Sequence, residues 1–175
     1  NPRFRMLYEE HMIFEKQLAE YEKKSFLSPQ EEMEKNKVKK TIKTKWAGIS
    51  IVKAQNLLLE SALEDSENEM FIFLSESCIP LKNFEYLQGH LSTDYSYFNM
   101  SPDSQCFPKC NKTLKYLDKK FIKKANMMSI LNRKHAEAII KHRKMMLKWF
   151  DYRKAVPDEH CYITLLHYLR LETEL

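Results

Sequence analysis

Asp158, Glu159 and His160 follow one another directly after Val156-Pro157. Three titratable side chains in succession are equipped to move a proton. Pro157 fixes its φ near about −65° and suits the first position of a helix. The positive end of the helix dipole there favours a charged carboxylate, the form a general base needs. Acids also occupy first turns for stability alone, so the spacing leaves both readings open. A second set is Ser75-Glu76-Ser77-Cys78, the polar elbow that ends the apolar run Met70 to Leu74. Ligands of open α/β sheets gather at the carboxyl ends of the strands, where these groups would line a cleft. The alternative is that the serines cap the next helix and Glu76 faces water. A third set, Asn132-Arg133-Lys134-His135, puts cations at a strand-to-helix junction. They suit an anionic ligand such as a diphosphate and are unfavourable beside the positive end of the helix dipole.

The elements that must position these groups are legible in the periodicity. Leu7, His11, Phe14, Leu18 and Tyr21 form a stripe on a helix over residues 5–24. Ser28-Pro29-Gln30-Glu31 is a capping box that opens a second, peripheral helix. Ser50 is placed to cap a third, with Ile51, Ala54, Leu58 and Ala62 on its inner face. The unbroken run Met70 to Leu74 has the pattern of a strand covered on both faces. A short helix is expected from Asn83, and further strands at Tyr95–Phe98 and Ala125–Leu131. A helix from Arg133 to Phe150 should turn Ala136, Ile139, Ile140, Leu147 and Phe150 inward. A last one after Pro157 should carry Ile163, Leu166 and Leu169. The class is α/β and helix-rich.

Composition narrows the function classes. Of 175 residues 43% are hydrophobic, enough for one core. Two glycines argue against Gly-rich phosphate loops and hairpin-dense all-β folds. The net charge of +5 is a mild bias spread among nearly as many acids. The basic run Lys35 to Lys45 holds no aromatic on which a base would stack, and no nucleic-acid partner is expected. Cys106 and Cys110, with three residues between them, admit a small disulfide loop or, with His160, Cys161 and His167, a zinc site; a clean second ligand pair is missing. Sequons at Asn99-Met100-Ser101 and Asn111-Lys112-Thr113 are compatible with a secretory location. The chain opens Asn1-Pro2-Arg3 and ends in a helical pattern, so it reads as a fragment of a longer protein.

Taken together, Lys45 to Ala54 (KWAGISIVKA), the elbow "LSESCIPL", "NRKHA" at Asn132 to Ala136 and "PDEHCYITLL" at Pro157 to Leu166 resemble the core-2/I-branching β-1,6-N-acetylglucosaminyltransferase family, with its plant and viral relatives. The resemblance covers about Thr41 to Tyr168. It implies a GT-A-like Rossmann-type fold, here incomplete at both ends, with residues 1–40 as a helical segment and 41–175 as the glycosyltransferase core. It also implies an inverting transfer of N-acetylglucosamine or a similar sugar from a UDP-sugar to an acceptor glycan or glycoprotein. No metal or other cofactor is expected, and these residues contain no Asp-x-Asp. The glutamate of the Pro-Asp-Glu segment, Glu159, maps onto the family's base. Asp158 would orient the helix start or contact sugar, the elbow Ser75 to Cys78 would line the cleft, and Arg133 and Lys134 would meet the diphosphate. The family further implies a Golgi lumen and a membrane anchor outside these residues. A reading from another class is a non-catalytic carbohydrate-binding domain derived from the same fold.

Overall fold

The computed structural model describes residues 42–74, 78, 81–106, 110–152 and 155–172, with 20, 23, 24 and 28. The chain forms two compact units, Asn1–Ile42 and Lys43–Leu175. The helices expected over 5–24 and from Ser28 lie, but for isolated positions, outside the described residues. The described elements belong to the second unit.

Its elements run α1 (Ile49–Ala62), β1 (Met70–Ile72), α2 (Phe84–His90), β2 (Ile130–Asn132), α3 (Arg133–Phe150) and α4 (Cys161–Tyr168). Short 3-10 turns lie between β1 and β2 and at Pro157–Glu159. The core is the meeting of α1, α3 and α4 under the two strands, with Val52, Leu59, Phe71, Leu131, Ile139, Phe150 and Leu166 among its buried members. Each large side chain so enclosed contributes roughly 1.5–3 kcal/mol.

α1 departs from its expected face. Val52, Gln55, Asn56 and Leu59 are buried, whereas Leu58 is 66% exposed. The buried set lies one residue further along, a rotation of about 100°. The cause is a polar pair that periodicity does not see: Tyr162 donates from its hydroxyl to Asn56 Oδ1 at 2.9 Å, which lets an amide sit inside. The helix is also not capped by Ser50, whose Oγ accepts from Lys45 N–H at 2.9 Å. Gly48 stands at the N-cap, where a Cβ would come 2.9 Å from the Lys45 carbonyl oxygen.

The sheet is smaller than expected and runs the other way. β1 and β2 pair antiparallel with Phe71 opposite Leu131, and among the described residues no strands pair in parallel. Phe71 is buried while Ile72 and Leu74 are 44% and 71% exposed, so β1 is covered on one face only. That is what an antiparallel pair tolerates and a doubly covered parallel sheet does not. Of the strand expected over Ala125–Leu131 only the end, Ile130 and Leu131, is realised, in β2, while Ala125 and the strand expected at Tyr95–Phe98 are reduced to isolated bridges, Met100 with Ala125 and Tyr97 with Ile130. What the described residues show is a helix-rich unit with a small antiparallel sheet.

α3 keeps its expected bounds because Asn132 caps it, accepting from His135 N–H at 2.8 Å. Its inward side carries His135, Met146 and Trp149 beside the expected Ala136, Ile139 and Phe150, while Ile140 and Leu147 are partly buried against the same core. α2 opens on Asn83, which accepts from Tyr86 N–H at 2.9 Å. α4 closes on Arg170 at φ 60°, with Leu171 N–H reaching back to Leu166 C=O at 3.0 Å. Among the described residues no helix is long and apolar enough to cross a membrane.

Candidate active site

Glu159 ends the turn Pro157–Glu159 that leads into α4. The turn is entered through Val156 at φ 48° and ψ 62°, a left-handed conformation costly for a β-branched residue. That cost is of order 1–3 kcal/mol, a strain found where surrounding structure holds a functional geometry in place. The holding contacts are explicit. Glu159 N–H donates to Val156 C=O at 3.2 Å and His160 N–H to Pro157 C=O at 3.1 Å, while Pro157 itself is buried.

The strand-like segment 123–126 is laced to this turn. Ala125 N–H donates to Glu159 C=O at 2.9 Å. Lys123 N–H donates to Thr164 Oγ1 at 3.1 Å, and the hydroxyl returns its proton to Lys123 C=O at 3.1 Å. His160 Nδ1 bonds that same carbonyl at 2.7 Å; since a carbonyl only accepts, Nδ1 carries the proton. The lacing leaves Lys124 Nζ 3.3 Å from Glu159 Oε2, with the two side chains 22% and 33% exposed. Glu159 is therefore a partly open carboxylate with a cation on one oxygen. The candidate trio thus divides: His160 is buried and stacked on Phe150 at 5.9 Å, a structural residue, and only the two acids remain near solvent. Lys124, 35 residues before Glu159 in sequence, gave no periodic signal.

Asp158 is half-buried, and its Oδ1 is fully enclosed without a hydrogen-bond partner. Burial pushes its carboxyl above the usual range; its own backbone N–H opposes this, and the Glu159 charge adds to it. The thiol of Cys161 is raised well above its ordinary value by complete burial, so it is not a nucleophile. Cys106 and Cys110 behave as thiols, donating to the carbonyls of Pro102 at 3.7 Å and Ala155 at 3.9 Å. Among the described residues no three His, Cys, Asp or Glu groups converge as metal ligands.

Of the elbow, Ser75, Glu76 and Ser77 lie outside the described residues, and Cys78 is exposed. The segment between β1 and the elbow nevertheless packs on the first turn of α4. Phe73 stacks on Tyr162, three residues after Glu159, with ring centroids 5.7 Å apart.

Arg133 is committed elsewhere than its sequence reading. Its Nη1 donates to the carbonyls of Asp65 and Asn68, both at 2.9 Å, its Nη2 to Leu63 C=O at 3.0 Å, and its Nε to Glu137 Oε1 at 2.9 Å. A guanidinium so engaged holds the 63–68 loop on the start of α3, which corrects the expectation that it meets a diphosphate. Lys134 beside it is exposed. A cavity of about 540 Å³, lined by Tyr95, Tyr97, Phe98, Asn99, Met128 and Ile130, opens further along the laced segment. Asn126 N–H donates to Asn99 C=O at 2.9 Å, one residue beyond the Ala125 bond to Glu159.

The family model of the core-2/I-branching enzyme matches residues 12–174. The chain is similar to a protein of Oryza sativa subsp. japonica named glycosyltransferase BC10, 27% identical over 163 residues. That alignment covers 79% of this chain and 41% of the relative, so the chain spans under half of the relative's length. No solved structure matches the chain. With a family match over nearly its whole length, the chain belongs to the core-2/I-branching enzyme family.

Proposed function

We propose that the chain is the acceptor-activating part of an inverting glycosyltransferase, with Glu159 as the base. The observation that carries this reading is the placement of Glu159: a part-exposed carboxylate on a strained turn, fixed by a main-chain bond from Ala125 and flanked by Lys124. Its chemistry is simple to balance. The carboxylate takes the proton of an acceptor sugar hydroxyl as that oxygen forms its bond to the anomeric carbon. The bond from that carbon to the leaving diphosphate breaks with its electron pair, and the centre inverts. In-line geometry, set by positioning the two substrates, supplies much of the rate.

The donor in this proposal is a UDP-sugar, N-acetylglucosamine or a similar sugar, and the acceptor a glycan or glycoprotein. The relative's printed name supports sugar transfer. We further propose that transfer needs no metal, a reading consistent with the lack of an Asp-x-Asp in these residues. A GT-A-like fold completed by sequence outside this chain, and a place in the Golgi lumen, belong to the same proposal. The aromatic cavity at Tyr95 to Asn99 offers ring faces on which a sugar stacks, a preference common to rings and pyranose C–H faces. Transfer assays with and without a chelator, comparing the chain with Glu159→Gln, test the reading.

A further inference from the structure

Seven lysines and no acid stand between Glu34 and Glu60. Over the whole chain 24 acids face 29 basic residues, so the gap is a local one. The stretch enters α1 through Lys43, Thr44, Lys45 and Trp46, all exposed. Lys123, Lys124 and Arg133 each have an acid beside them, whereas neither the Lys43 nor the Lys45 ammonium group has a partner among the described residues. Their charge is uncompensated.

Trp46, next to Lys45, is 95% exposed, although tryptophan is on average highly buried. The backbone holds it there. Gly48 N–H donates to Lys45 C=O at 3.0 Å, closing a turn whose central residues are Trp46 and Ala47. Ala47 lies at φ 53°, a left-handed position that such turns give to glycine or asparagine. Lys45 N–H is fastened in its turn to Ser50 Oγ at 2.9 Å, which ties the corner to the start of α1. A strained turn, bonded at both ends, presents an indole to solvent beside unpaired lysines.

An indole joins an apolar body to one N–H donor, the combination that settles between lipid headgroups and acyl chains. Lysines next to it lay their stems along that boundary and keep their ammonium groups among the headgroups, where anionic lipid attracts them. A nucleic-acid strand is met by a series of rings that stack successive bases. Trp46 is the single aromatic residue between Glu34 and Glu60.

We propose that the turn 45–48 is a membrane-contact site, at which Trp46 enters the headgroup region of an anionic phospholipid surface while Lys43 and Lys45 meet the lipid anions. The contact is peripheral and reversible, since one ring and a few lysines fall far short of the insertion of a spanning helix. It is separate from the chemistry at Glu159.

The test is flotation of the whole chain with vesicles of phosphatidylcholine alone and with about one-third phosphatidylserine, read together with tryptophan emission. Trp149, the other tryptophan, is 4% exposed within the core, so a change of emission on binding reports Trp46. The anionic vesicles should bind the chain, move its emission to shorter wavelength and shield it from iodide quenching, and added salt should weaken the binding. Trp46→Ala should weaken partitioning about tenfold, because the inserted ring is gone. Lys43→Ala/Lys45→Ala should weaken it about tenfold or more on anionic vesicles. Lys141→Ala/Lys144→Ala, which removes equal charge from exposed positions of α3, should weaken it less than about twofold. All these side chains are exposed, so melting temperatures should match the parent's. No shift of emission with anionic vesicles, equal losses in the two lysine variants, or parent-like binding by Trp46→Ala would overturn the site. A single-stranded oligonucleotide that shifts the emission where vesicles do not would overturn it in favour of nucleic acid. Glu159→Gln should bind the vesicles as the parent chain does, so failure of the base leaves this result standing.

Discussion

Lys124 Nζ lies 3.3 Å from Glu159 Oε2, and the same two stretches are joined through the main chain where Ala125 N–H meets Glu159 C=O at 2.9 Å. The side-chain contact is a part-exposed ion pair, worth at most about 1 kcal/mol to the fold. Its value lies in aiming the carboxylate. Lys124→Ala should therefore leave urea stability within about 1 kcal/mol while lowering kcat for sugar transfer roughly tenfold. Equal kcat in the variant would show that the lysine does not orient the base.

Asp158 gives a pH signature of its own. Its carboxyl is raised in the folded chain, mainly by burial, so the folded state holds the proton more tightly than the unfolded one. Below the unfolded pKa both states are protonated and the group contributes nothing. As pH rises through the folded pKa, the buried charge must form and stability is lost. Asp158→Asn is expected to be more stable than the parent at neutral pH, with the difference vanishing as the pH falls below the ordinary carboxylate range. Melting temperatures of the two proteins across acid to neutral pH measure this.

Arg133 is expected to behave as a loop clamp. Arg133→Lys keeps the charge but loses the planar fork that reaches three carbonyls of the 63–68 loop. Stability should fall by about 1–3 kcal/mol, read from chemical denaturation. Unchanged stability with a raised KM for the sugar nucleotide would restore the diphosphate role.

Tyr162 joins two elements at once, stacking on Phe73 and donating to Asn56. Tyr162→Phe keeps the ring and strips the hydroxyl, leaving a buried amide oxygen without its donor. The expected cost is about 1–3 kcal/mol. A value near zero would mean that Asn56 finds another partner.

How far the chain could be read in advance follows from which forces act locally. The helix from Arg133 and the turn at Pro157 were legible because caps, proline and periodicity are properties of neighbouring residues. The inner face of Ile49–Ala62 was not, because Asn56 is buried by a partner 106 positions away. The run Met70 to Leu74 looked doubly covered because apolar residues do not announce whether a second layer exists; Ile72 and Leu74 stand exposed. Strand direction likewise depends on pairing at long range, here Phe71 with Leu131. Within the site, Glu159 was visible as a residue of a motif, but Lys124 and Thr164 were not, since the contacts that make them relevant form only on folding. Arg133 was misread because a strand-to-helix junction invites an anion, and only the structure shows the carbonyls of Leu63, Asp65 and Asn68 already there.

The central claim is that the Glu159 carboxylate takes the acceptor proton, and the most direct measurement is the transfer rate of Glu159→Gln at saturating UDP-sugar and acceptor, in the longest form of the protein that shows activity. The glutamine keeps the shape and the main-chain bonds of the turn but cannot accept the proton. A general base contributes roughly 10²–10⁴-fold, so the account predicts a fall in kcat of that size with melting temperature and donor affinity preserved. A kcat within a factor of about two of the parent would contradict it.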